Sequence, residues 1–153
     1  MSFERTLAEL GLVLPPPPKP VATYIPAVLA GELLFLSGVI PFREGTLVFE
    51  GKLGRDLTVE QGYEAARIAL LNALAIVRHE LGTLDRVKKI VRMTGHVASA
   101  EGFVQHPAVI NGASDLLVKI FGETGQHARV ALGAAELPLN APVEIELIVR
   151  VKP

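Results

Sequence analysis

Asn111, Arg129 and Glu144, all in the last third of the chain, carry side chains that hydrolytic chemistry on a small acid requires. An arginine can grip a carboxylate through two parallel charge-assisted hydrogen bonds, an asparagine can fix orientation, and a glutamate can take a proton from water. On the residues alone, a plainer arrangement accounts for them as well: an Arg129–Glu144 ion pair between neighbouring strands, with Asn111 as a helix-start residue. Other chemistries fail on residue type or spacing. The 153 residues include no cysteine, which excludes thiol nucleophiles, thiolate zinc sites, iron–sulfur clusters and disulfides. None of the four serines, Ser2, Ser37, Ser99 and Ser114, lies in a Gly-x-Ser-x-Gly elbow. His79, His96, His106 and His127 have no i, i+4 pairing and no neighbouring carboxylate cluster, so no metal site is expected. Between Gly45 and Gly51 the spacing is one residue too long for a phosphate loop, and no Ser or Thr follows Lys52. Gly51-Lys52-Leu53-Gly54 reads as a hairpin turn rather than an RNA clamp, because the flanking helices are missing.

The elements that must position these residues fit one domain, in a chain that is 50% hydrophobic and 20% charged. Fifteen basic residues against sixteen acidic ones give a net charge of −1, so no global field draws in nucleic acid or an anionic membrane. No uncharged apolar run reaches the roughly 18 residues of a membrane span. The opening residues lack a basic segment leading into an apolar one, and a cytoplasmic protein is expected. Pro15 to Pro18 force an extended segment after a short helical turn between Leu7 and Leu14. Residues 1–19 therefore read as an N-terminal arm and residues 20–153 as a single domain.

Leu33 to Ile40 suits a buried strand, and Thr46 to Phe49 a short edge strand. Thr58-Val59-Glu60-Gln61 has the form of a capping box that opens a helix, with Val59, Ala66, Leu70, Ala73 and Val77 on one face and Gly82 at the end. Val91, Met93, Gly95 and Val97 alternate with Arg92, Thr94 and His96, the period of a strand. Pro107 suits a first helical turn, and Ala108 to Phe121 forms a second helix closed by Gly122. Strands follow at Arg129 to Ala135 and Val143 to Val151. The order implies an α+β fold, one mixed sheet with two helices on one face. Apolar residues such as Ile148 also occupy the other face, so burial by self-association is expected.

The run His127-Ala128-Arg129, then Glu136-Leu137-Pro138, then Val143-Glu144-Ile145-Glu146 resembles the C-terminal signature of the reactive intermediate deaminase (Rid) family, also labelled endoribonuclease L-PSP. The resemblance extends to Tyr24, to Ser37-Gly38-Val39-Ile40-Pro41, to the helix from Thr58 and to Val109-Ile110-Asn111, covering about residues 20 to 152. It implies a chorismate-mutase-like (bacillus-type) fold, a homotrimer around a central barrel, and a cleft at each subunit interface. It also implies hydrolytic deamination of reactive enamines and 2-imino acids to 2-keto acids and ammonia, a hydrolase activity on C=N bonds without a cofactor. By the same resemblance, Arg129 binds the substrate carboxylate, Glu144 positions or activates water, and Tyr24, Ser37, Gly38 and Asn111 shape the cleft. Departures mark a divergent branch: His127 replaces a usual proline, Ala131 a small hydroxyl or thiol residue, and Ala22-Thr23 a Gly-Pro pair. A non-catalytic trimer that binds a small carboxylate metabolite is the alternative. Balanced charge and the absence of an evident pair of catalytic histidines argue against ribonuclease chemistry.

Overall fold

The computed structural model describes residues 2–20 and 22–153. Alternation in the last strand organises the sheet. In β7 (Val143–Val151) every odd-numbered residue is buried, while Glu144, Glu146, Ile148 and Arg150 face the other way. β7 lies at the centre, flanked by β2 (Leu33–Leu36) and by β5 (Val87–Ala98), both antiparallel to it. β1 (Ala27–Ala30) extends the sheet beyond β2, and β6 (Ala128–Ala134) runs parallel to β5 at the opposite edge. The sheet is thus mixed, in the order β1-β2-β7-β5-β6. β3 (Phe42–Arg43) and β4 (Thr46–Leu47) form a separate hairpin, so the expected edge strand at Thr46 to Phe49 is not part of the main sheet.

Two long helices cover one face. In α2 (Val59–Leu81) the Thr58 hydroxyl accepts from the Gln61 amide at 3.2 Å while the Gln61 side chain accepts from the Thr58 amide at 2.9 Å, the capping box read from the sequence. Ala66, Leu70, Ala73 and Val77 on its inner face are fully buried. α3 (His106–Phe121) starts with Pro107 in its first turn. The two helices touch backbone to backbone at Gly112, where a Cβ would fall 1.9 Å from the Tyr63 carbonyl oxygen. No helix among the described residues is long and apolar enough to cross a membrane.

A short helix, α1 (Phe3–Glu9), precedes the prolines, earlier than the expected turn between Leu7 and Leu14. Ser2 caps it, and its side chain together with the amides of Phe3 and Glu4 donates to the Asp85 carboxylate. Phe3, Leu7 and Leu14 join the same core as α2, α3 and the sheet, so the segment before the prolines packs onto the body.

Bulges depart from simple alternation, one of them early in β5 between Val87 and Lys89. In β5 the register to β7 shifts between Ile90 and Arg92, so Ile90 is buried and Val91 is exposed, against the expected alternation. In β2 the strand stops at Leu36 and resumes as a bridge from Val39 to Ile145. Phe35 pairs with Ile148, so four steps along one chain meet three along the other, and the excess residue falls in the Leu36–Gly38 stretch. The expected strand from Leu33 to Ile40 is therefore broken where the candidate site begins.

Candidate functional site

The bulge opens a cleft of about 580 Å³ that Tyr24, Ser37, Gly38 and Glu144 share. Gly38 is needed for Glu144: a Cβ there would stand 2.8 Å from the Glu144 Cδ, so the carboxyl lies directly against the bare Gly38 backbone. The Ser37 hydroxyl donates to the Ile25 carbonyl at 2.6 Å, and the Ser37 amide donates to the Pro26 carbonyl at 2.9 Å. Ser37 thereby fixes the approach of the segment that carries Tyr24. Asn72 is the one buried polar side chain of α2, and its amide donates to the carbonyls of Ile40 and Phe42 at 3.2 and 2.8 Å. These bonds hold a further wall of the cleft to the helix.

Glu144 is half-buried, and desolvation raises its pKa above the ordinary carboxylate value. The His96 ring opposes that shift and the Glu146 carboxylate reinforces it. His96 pairs with Glu144 across β5 and β7, yet its Nε2 lies 2.8 Å from Glu146 Oε2. The sequence leaves the partner of Glu146 open, with Arg150 as one choice. In the structure Arg150 instead binds Glu32 at 2.8 Å.

Arg129 and Asn111 stand apart from this cleft. The Arg129 guanidinium donates to the Ser114 hydroxyl at 3.0 Å and to the Pro107 carbonyl at 3.3 Å. Pro107, Asn111 and Ser114 follow at spacings of four and three along α3, so Arg129 lies along the helix stripe that bears Asn111. Ser114 is in turn held by His127, whose Nε2 is 2.9 Å from its Oγ and whose Nδ1 donates to the Gly125 carbonyl at 2.6 Å. Nδ1 donates to the carbonyl, so Nε2 is the ring nitrogen that meets the Ser114 hydroxyl, whose oxygen also accepts from Arg129. The Ser114–His127 relay escapes a sequence reading because its members come from a helix and a loop. The only trace is His127 at a position where the resemblance implies proline.

Register shows that the two groups occupy opposite sides of the sheet. Glu144 pairs with His96, on the uncovered face, whereas Arg129 pairs with Met93, which is fully buried beneath the helices. β5 also separates β6 from β7. An Arg129–Glu144 ion pair between neighbouring strands, the arrangement allowed by the sequence, is thus absent within one chain. The uncovered face exposes Val28, Phe35, Val91 and Leu132 around these polar residues.

Residues 4–151 match the family described as "YjgF/chorismate mutase-like, putative endoribonuclease". Protein TCP17 of Trypanosoma cruzi is 40% identical over 144 residues, 94% of this chain and 90% of that protein. Among solved structures, a "putative endoribonuclease" from Shewanella oneidensis MR-1 superposes with a TM-score of 0.95 at 37% identity, covering 99% of this chain and 100% of that one. The structure of Escherichia coli TdcF with bound serine aligns with a TM-score of 0.65 at 25% identity, over 90% of this chain and 94% of that one.

Proposed function

This chain belongs to the YjgF/chorismate mutase-like family, and on that premise we propose that it hydrolyses reactive 2-imino acids and their enamine tautomers to 2-keto acids and ammonia. The observation that carries this reading is the Glu144 carboxyl, half-buried, raised in pKa and packed against Gly38 in a cleft large enough for a small acid. The serine bound to the TdcF relative supports an amino-acid-like ligand. Since Arg129 and Asn111 lie on the other side of the sheet, the complete site joins the cleft of one copy to the Arg129 stripe of a neighbour in a homotrimer. The same association covers the apolar face that bears Phe35 and Leu132.

In this arrangement Arg129 grips the substrate carboxylate with its planar fork, pre-set by Ser114 and Pro107. The imine reacts as its N-protonated iminium: Glu144 takes a proton from water as the water oxygen bonds to the imine carbon, and the C=N electron pair moves to nitrogen, leaving a neutral amine. Glu144 then returns its proton to the amine of the carbinolamine. The C–N bond breaks as C=O forms, Glu144 takes the hydroxyl proton, and that proton passes to the departing ammonia, which leaves as ammonium. Imines already hydrolyse in water, so positioning and proton transfer are the contributions required of the protein.

The test generates the imine in place with an amino-acid oxidase and follows its loss with and without the protein. Glu144→Gln is expected to lower the acceleration roughly 10²-fold or more. Arg129→Lys keeps the charge but loses the fork and is expected to weaken keto-acid binding by about 2–5 kcal/mol. Unchanged turnover in Glu144→Gln removes the proposed base.

A further inference from the structure

We propose that the cleft selects 2-imino acids with a bulky apolar side chain, such as those derived from leucine or phenylalanine, and that the proline arm supplies the selecting wall. The proposal rests on the hydrolysis reading and adds the substrate class. Pro18 of the arm and Pro20 directly after it line the same cleft as Glu144, together with Val39, Ile40, Phe42 and Ile76. These six apolar groups line the cleft beside Glu144, more than the single methyl group of a three-carbon imino acid can cover.

The wall is built to hold its shape. Each proline fixes its own φ, so little conformational freedom remains to be lost when a substrate binds. The arm is also fastened on both sides: Leu14 is buried in the core before it, and Ser37 binds the carbonyls of Ile25 and Pro26 after it. Within the cleft Asn72 fixes Ile40 and Phe42 through their carbonyls. Two constrained segments therefore supply the apolar part of a cleft that also contains Glu144, with Lys19 and Glu146 in its polar lining. An apolar pocket of this kind discriminates by roughly 10- to 200-fold for a single methylene.

Imines generated in place from leucine, phenylalanine and alanine provide the test, with kcat/KM compared across the three. Wild type is expected to favour the leucine- or phenylalanine-derived imine at least tenfold over the alanine-derived one. The double variant Pro18→Ser, Pro20→Ser is expected to reduce that ratio at least fivefold, and Phe42→Ala, from another wall, to reduce it independently should the arm variant misfold. Equal kcat/KM on all three imines overturns the selectivity while leaving the hydrolysis reading standing. A preference that survives in both folded variants overturns the proposed wall. If no imine is accelerated at all, the hydrolysis reading fails, and calorimetric binding of 4-methyl-2-oxopentanoate against pyruvate decides the selectivity alone. Tighter binding of the larger keto acid, by tenfold or more, upholds it, and equal binding overturns it.

Discussion

Glu144 is more easily protonated in the folded chain than in the unfolded one. Burial penalises its charged form and Glu146 adds repulsion, while His96 offsets only part of this. Because the folded pKa lies above the ordinary glutamate value of 4.5, the folded state binds the proton more readily between the two values. Stability is then greatest below the unfolded pKa and falls as pH rises through the folded one. Glu144→Gln carries no such charge. It is expected to melt at a higher temperature than wild type at about pH 8, with the gain shrinking toward zero near pH 4. A thermal melt series across that range checks it, and a gain that is constant with pH contradicts the assignment. The same residue therefore destabilises the fold in the ionised form that the proposed hydrolysis needs, a trade-off common at functional sites.

At the scale of elements, the packing of α2 on α3 depends on Gly112. A methyl group there would lie 1.9 Å from the Tyr63 carbonyl, and backbone cannot move aside as a flexible side chain can. Gly112→Ala is expected to destabilise by about 3 kcal/mol, read as a lowered urea midpoint. Local signals made much of this framework legible in the sequence. The Thr58–Gln61 box and Gly82 bracket α2, and the strict alternation from Val143 to Val151 marks β7 and its two faces. The bulges at Leu36–Gly38 and Ile90–Arg92 were not legible, because a bulge depends on what the neighbouring strand pairs with. Strand order was hidden for the same reason. Without knowing that β5 lies between β6 and β7, no local pattern reveals that Arg129 and Glu144 face opposite sides. Of the six candidate site residues, Tyr24, Ser37, Gly38 and Glu144 share the cleft, and the other two occupy the α3–β6 side.

For the whole molecule, the uncovered sheet face is the feature two helices cannot satisfy. Phe35 sits near its middle beside Ile148, with Val28 on its other side. Placing a charge there by Phe35→Glu is expected to disperse the proposed homotrimer to single chains, measured by light scattering, with secondary structure retained and imine turnover lost. An assembly that survives the change places the interface elsewhere. The separation of Arg129 from Glu144 by the thickness of the sheet also has a genetic reading. On the proposed shared site, two defective alleles, Arg129→Lys and Glu144→Gln, are each expected to lower turnover at every site when alone. Expressed in one cell they are expected to complement, since a neighbour pair with one intact arginine and one intact glutamate arises in about a quarter of interfaces when subunits mix at random. Placed together on a single allele, the same two substitutions leave nothing for a second copy of that allele to restore.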